Sequence, residues 1–129
     1  MKEVEINLIA GWASILCGVV AGAGAGVFFH QENWAGGYAS FRRRMLRLAH
    51  ISFFGIGFIN LAYGVTTTIP GVGISHSKLA GVLLIAAAVT MPLCCYLTAW
   101  KKPFRHLFPV PVVCVAAGII LTLVGWSSG

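Results

Sequence analysis

The chain has 129 residues, of which 58% are hydrophobic and only 9% are charged, whereas soluble domains carry about 25% charged residues. A protein surface with so little charge cannot keep a compact globule in solution. The composition therefore excludes an ordinary soluble domain. The net charge of +6 would suit nucleic acid, but seven of the nine basic residues fall in two short clusters, residues 42–47 and 101–105. Basic clusters beside apolar runs are typical of membrane topology signals and lipid-headgroup contacts. We therefore expect the lipid bilayer, and no nucleic acid, as a partner.

Four apolar runs follow one another along the chain, and each approaches the roughly 20 residues that a helix needs to cross a bilayer. The runs predict spans at approximately residues 6–29, 45–65, 79–100 and 109–126. The connecting segments are short and rich in glycine, proline and aromatic residues. The sequence therefore predicts an all-α integral membrane protein, with residues 1–129 forming a single transmembrane domain built as a four-helix bundle.

Small residues recur at helical spacing within the spans. Gly18, Gly22 and Gly26 stand four residues apart in the first span, a spacing that lets another helix approach closely. In the second span Gly57 and Gly64 stand seven residues apart, and in the fourth span Gly118 lies between Cys114 and Thr122. We predict that these glycines form helix-packing faces.

His50 stands seven residues before Gly57, so it lies on the same helix face as the second glycine stripe. A histidine below such a stripe is similar to the way membrane cytochromes make room for a haem edge. On this hypothesis haem b is the cofactor, His30 or His106 supplies a second axial nitrogen, and Arg47 meets a propionate. The alternative, which we favour, is that these histidines lie near the membrane interface and hydrogen-bond to headgroups, carbonyls or water.

The distribution of basic residues predicts the orientation of the spans. The connections after the first and third spans hold seven basic residues, while the remaining segments hold only Lys2 and Lys78. Because cytoplasmic loops carry the excess of lysine and arginine, we expect both termini, and His76, on the non-cytoplasmic side. A bacterial inner membrane fits this arrangement.

No Asp, Glu, Lys or Arg falls in the middle of any predicted span, which argues against a proton-coupled carrier. No catalytic motif is visible, so we expect no enzyme. The leading hypothesis is a non-enzymatic subunit or assembly factor of a larger membrane complex, such as a respiratory one, that binds other membrane subunits or itself. The alternative is a small homo-oligomeric channel or carrier with a pore lined by Asn60, Thr90 and Tyr96.

Overall fold

The computed structural model of the chain describes residues 2–70 and 77–127, apart from the side chains of Glu3 and Ser77; His76 lies outside this part. Every regular secondary-structure element in the described residues is a helix, and no strand is present there. The four long helices are α1 (Glu3–Phe29), α2 (Phe41–Thr66), α3 (Ser77–Trp100) and α4 (Pro109–Ser127). All four are long and apolar enough to cross a membrane. The predicted all-helical chain with four membrane-length segments is thus confirmed.

α2 begins at Phe41, four residues before the predicted start of the second span. Ser40 is the N-cap of this helix, and its Oγ accepts a hydrogen bond from the backbone N–H of Arg43 at 3.1 Å. Such a cap satisfies one of the N–H groups that a helix start leaves without a partner. The arginines at positions 42–44 therefore belong to the first turn of α2 and not to a loop.

Successive helices pack side by side and run antiparallel, so the connections 30–40 and 101–108 lie together at one end. We call this the basic end, because it holds the two basic clusters. α1, α2 and α3 all contact one another, whereas α4 packs along α3 and makes no substantial contact with α1 among the described residues. The helices therefore form a three-helix core with α4 attached to one of its members.

A buried pair of asparagines joins the three core helices near the end opposite the basic end. Asn7 Nδ2 on α1 donates to Asn60 Oδ1 on α2 at 2.9 Å and to the carbonyl of Gly81 on α3 at 3.1 Å. Asn60 Nδ2 in turn donates to the carbonyls of Ile56 and Leu84, each at 3.0 Å. Because no water is available at such a site, these bonds tie the register of α1, α2 and α3 together.

Glycines bring the helix backbones close around this pair. A Cβ added at Gly64 would lie 2.7 Å from Leu8 Cδ2, and one at Gly57 would lie 3.1 Å from the Gly11 carbonyl oxygen. On α4, a Cβ at Gly118 would lie 2.8 Å from a methyl group of Leu84. Each distance is shorter than an ordinary contact, so these three glycines lie where neighbouring helices approach each other closely.

We expect the asparagine pair to show a coupling energy between about 0.6 kcal/mol, the average for hydrogen bonds between membrane helices, and about 1.7 kcal/mol, the maximum. The measurement is a double-mutant cycle of Asn7→Ala and Asn60→Ala, followed by unfolding in detergent. The matched control uses Thr90→Ala in place of Asn7→Ala. Within the described residues, the Thr90 hydroxyl bonds only to the Ala86 carbonyl of its own helix. The control cycle should be additive to within about 0.5 kcal/mol. Equal coupling in both cycles would contradict a direct bond.

Candidate functional site

His50 lies where α1 and α2 cross, and its half-buried ring is fixed by two contacts. Its Nδ1 is 2.9 Å from the carbonyl oxygen of Gly18. Since a carbonyl can only accept, Nδ1 carries the proton in this bond, and in the uncharged ring Nε2 is then the acceptor atom. The edge of the ring meets Phe54, with ring centroids 5.1 Å apart. His50 thus holds α1 to α2 and keeps one ring nitrogen for another partner.

The glycines of α1 make the room that this ring needs. A Cβ added at Gly22 would overlap the ring, with His50 Nδ1 at only 2.9 Å, and one at Gly18 would lie 2.8 Å from Phe54 Cε2. Gly26 differs, because a Cβ there would meet nothing within 4 Å. α1 packs on α2 through Gly11, Gly18 and Gly22, and the helix surface at Gly26 stands open.

A shallow groove of about 190 Å³ begins beside His50 and runs between α1 and α2 toward the basic end. Its wall is almost wholly apolar, with two polar exceptions, His50 and Arg47. The residues that line it are Gly22, Ala25, Gly26, Phe29, Leu46, Arg47 and His50. We call it the His50 groove. It brings together an imidazole, a guanidinium and the open small-residue surface of α1.

The other two histidines do not share this groove. His30 is exposed at the end of α1, where its backbone carbonyl accepts a hydrogen bond from the Tyr38 hydroxyl at 3.1 Å. His106 is exposed in the short helical segment Lys102–Leu107. Across residues 2–70 and 77–127, no three His, Cys, Asp or Glu side chains stand close enough to hold a metal ion.

The three residues considered for a pore lie in different environments. Asn60 is fully buried, and its amide is engaged in the asparagine pair. The Thr90 hydroxyl donates to the Ala86 carbonyl in its own helix. Tyr96 is 37% exposed and its ring lies 6.3 Å from that of Phe53. These contacts favour structural roles for Asn60 and Thr90.

Arg43 is the residue whose role the sequence analysis missed: its side chain is 0% exposed. The Nε group donates to the Trp34 carbonyl at 2.6 Å, and the two Nη groups donate to the carbonyls of Phe29 and Gln31. The guanidinium also lies over aromatic rings, with the Tyr38 ring centroid 4.4 Å away. Arg43 therefore clamps the connection between α1 and α2 onto the start of α2.

The clamp depends on a tight turn in that connection. Ala35, Gly36 and Gly37 have φ angles of 54°, 88° and 99°, in the left-handed region that favours glycine. Ser40 Oγ also donates to the Ala35 carbonyl at 2.7 Å, which closes the turn. In the sequence, the Gly-Gly pair and the serine after it indicate a turn followed by a helix start, but they do not indicate which arginine is enclosed.

We expect Gly22→Leu to destabilise the protein by about 1–3 kcal/mol, the usual cost of overpacking, because the new side chain would displace His50. Gly26→Leu is the matched control, and its stability should stay within about 0.5 kcal/mol of the parent. Unfolding in detergent gives the stabilities, and the ¹⁵N chemical shifts of His50 report whether the Nδ1 bond to Gly18 survives. Equal stabilities for the two variants would contradict the packing described here.

The arrangement beside His50 offers one imidazole nitrogen and one guanidinium at the border of an apolar groove. Such a pair can hydrogen-bond to a polar group of a ligand, or of a helix, that enters between α1 and α2. No protein family, no characterised protein and no solved structure matches the chain.

Proposed function

We propose that the chain is a non-enzymatic subunit or assembly factor of a larger membrane complex, and that it binds a helix of another membrane subunit along the His50 groove. The observation that carries the proposal is the open small-residue surface of α1. At Gly26, which lines the groove, an added Cβ would meet nothing within 4 Å. Glycine lowers the stability of a helix and has no side chain to contact lipid, but it lets another helix approach closely.

The uneven burial of the four helices supports the same proposal. Within the most apolar stretch of each span, 39% of residues in α2 and 44% in α3 are buried inside the protein. The corresponding shares are 17% for α1 and 11% for the segment that includes α4. Two of the four helices therefore offer long uncovered faces, which suits a subunit that sits between neighbours in a complex such as a respiratory one.

The groove contains donor groups that suit haem, but its volume is too small for haem. His50 is well prepared as a ligand, because its other ring nitrogen is held by a backbone carbonyl, as is usual for metal-binding histidines. The volume of about 190 Å³, however, lies below the roughly 300 Å³ at which small-molecule pockets begin. Neither His30 nor His106 lines the groove. The occupant we propose is therefore a helix and not haem b.

We further propose that the basic end faces the cytoplasm and that the membrane is a bacterial inner membrane, which places both termini outside. The support is the concentration of seven basic residues at one end of the antiparallel helices. Ser40 caps α2, so it is better left intact in a labelling experiment.

We expect cysteines introduced as Glu32→Cys and Ile69→Cys to react with a membrane-impermeant thiol reagent from opposite sides. Glu32 lies in the connection at the basic end, and Ile69 follows α2 at the other end and is 45% exposed. The Ile69→Cys variant should be labelled in intact cells. The Glu32→Cys variant should be labelled only after the cells are lysed. The four native cysteines are the background to subtract. Labelling of both positions in intact cells would contradict the proposed topology.

The test of the subunit proposal is the mass of the complex extracted from its native membrane in mild detergent. Gly26→Leu should release the chain from the complex, because the new side chain fills the place of the partner helix, while the isolated chain keeps its stability. Gly55→Leu is the matched control, since Gly55 on α2 is also open and does not line the groove.

Three results would overturn the proposal. Extraction of the chain alone would show that it has no partner. A complex that survives Gly26→Leu would show that the partner binds at another surface. A Soret absorbance band that His50→Ala removes would identify the occupant as haem.

A further inference from the structure

A second groove, of about 430 Å³, opens at the basic end between the start of α2 and the end of α3. The N-cap residue Ser40 and the first-turn residue Arg42 line it on the α2 side. On the other side it is lined by Thr98 and Trp100 of the last turn of α3 and by Lys102 of the segment that follows. It shares no lining residue with the His50 groove. We call it the Arg42 groove.

Two cations line this groove, and no Asp or Glu of the described chain does. Arg42 Nε donates to the Ala99 carbonyl at 3.0 Å, which fixes the guanidinium against the end of α3. Its two Nη groups make no hydrogen bond to the part of the chain that the structure describes. The Nζ of Lys102 lies 5.3 Å from the centroid of the Phe41 ring. The groove is therefore a positively charged site with donor groups to spare.

Thr98 supplies an independent observation. Its side chain is 1% exposed, and its Oγ1 is buried without a hydrogen-bond partner in the described chain. The hydroxyls of Thr66, Thr90 and Thr122 each donate to the carbonyl four residues earlier in their helix. A buried hydroxyl without a partner costs free energy. Thr98 is among the residues that line the groove, so a polar group of a bound ligand is the partner we infer for this hydroxyl.

The ends of the two helices also suit an anion. The first turn of α2 carries no acidic residue, and its N–H groups contribute partial positive charge. Near the end of α3, the carbonyls of Leu97 and Ala99 already accept from Lys101 N–H and Arg42 Nε. The negative end of α3 is thus partly neutralised. At the positive end of α2, Ser40 caps one N–H group, that of Arg43, and no carboxylate of the first turn is present.

We propose that the Arg42 groove binds the phosphate group of an anionic phospholipid. Its place at the ends of the apolar helices is the depth of lipid headgroups, and basic pockets of this kind bind anionic headgroups. Trp100 at its border is 65% exposed and stacks on Phe104, as expected for an aromatic side chain at the membrane interface. The uncovered side chains of Leu93 and Val89 on α3 offer an apolar surface for the acyl chains.

The experiment is native mass spectrometry of the purified chain in detergent, titrated with phosphatidylglycerol or with phosphatidylcholine. We expect phosphatidylglycerol to bind at least tenfold more tightly, and millimolar inorganic phosphate not to displace it. Equal binding of the two lipids would overturn the proposal. Displacement by inorganic phosphate would also overturn it, because the ligand would then be a free anion and not a lipid.

Paired variants assign the binding to this groove. The double variant Arg42→Gln/Lys102→Gln should bind phosphatidylglycerol about 25-fold more weakly, since each basic group near the membrane contributes about fivefold. The control Arg44→Gln/Arg105→Gln removes the same charge from the same end but outside the groove, and should weaken binding less than threefold. Equal losses would show a diffuse attraction and no site.

Two single variants keep the test valid if the double variant is unstable. Lys102→Gln removes no hydrogen bond of the described chain and should still weaken binding about fivefold. Thr98→Val should keep or raise the melting temperature in lipid-free detergent, because the buried hydroxyl has no partner to lose, and yet weaken lipid binding. Unaltered phosphatidylglycerol binding in both variants would overturn the assignment.

Discussion

The hydrogen bond between Asn7 and Asn60 is the interaction on which the register of the helices depends. Two amides buried in an apolar bundle have no water to bond to, so each helix must present the other amide or a free carbonyl at a matching height. Gly81 and Leu84 provide those carbonyls on α3. On α4, Gly118 packs against the side chain of Leu84. A slip of one turn in any core helix would leave an amide without a partner and would also separate the glycine contacts.

The two ends of the core are held by different chemistry. At the asparagine end, side chains bond across helices at the centre of the packing. At the basic end, Arg43 binds the carbonyls of the first connection, and Arg42 binds a carbonyl at the end of α3. Between these two ends lies His50, whose Nδ1 group hydrogen-bonds to the carbonyl of Gly18 where α1 and α2 cross. Beyond this crossing the two helices no longer cover each other, and the open surface at Gly26 results.

The sequence predicted the number and approximate limits of the helices, because apolar length and the scarcity of charge determine them. It could not separate Arg43 from its neighbours: adjacent residues on a helix point about 100° apart, and only the position of the folded connection decides which one is enclosed. The Gly18, Gly22 and Gly26 spacing is uniform in sequence, but helices that cross at an angle contact each other over part of their length. Asn7 was overlooked because it stands near the start of a span, where polar residues are common.

The Arg43 clamp contains no acidic group, and this determines how its hydrogen bonds respond to pH. All its side-chain hydrogen bonds end on backbone carbonyls, and its remaining contacts are with aromatic rings. A carbonyl does not titrate, whereas a carboxylate partner would be protonated and lost in acid. The hydrogen bonds of the Arg43 side chain are therefore insensitive to acidification in the range where carboxylates titrate. Lysine could not replace the arginine there, since three carbonyls in different directions require the planar fork of donors.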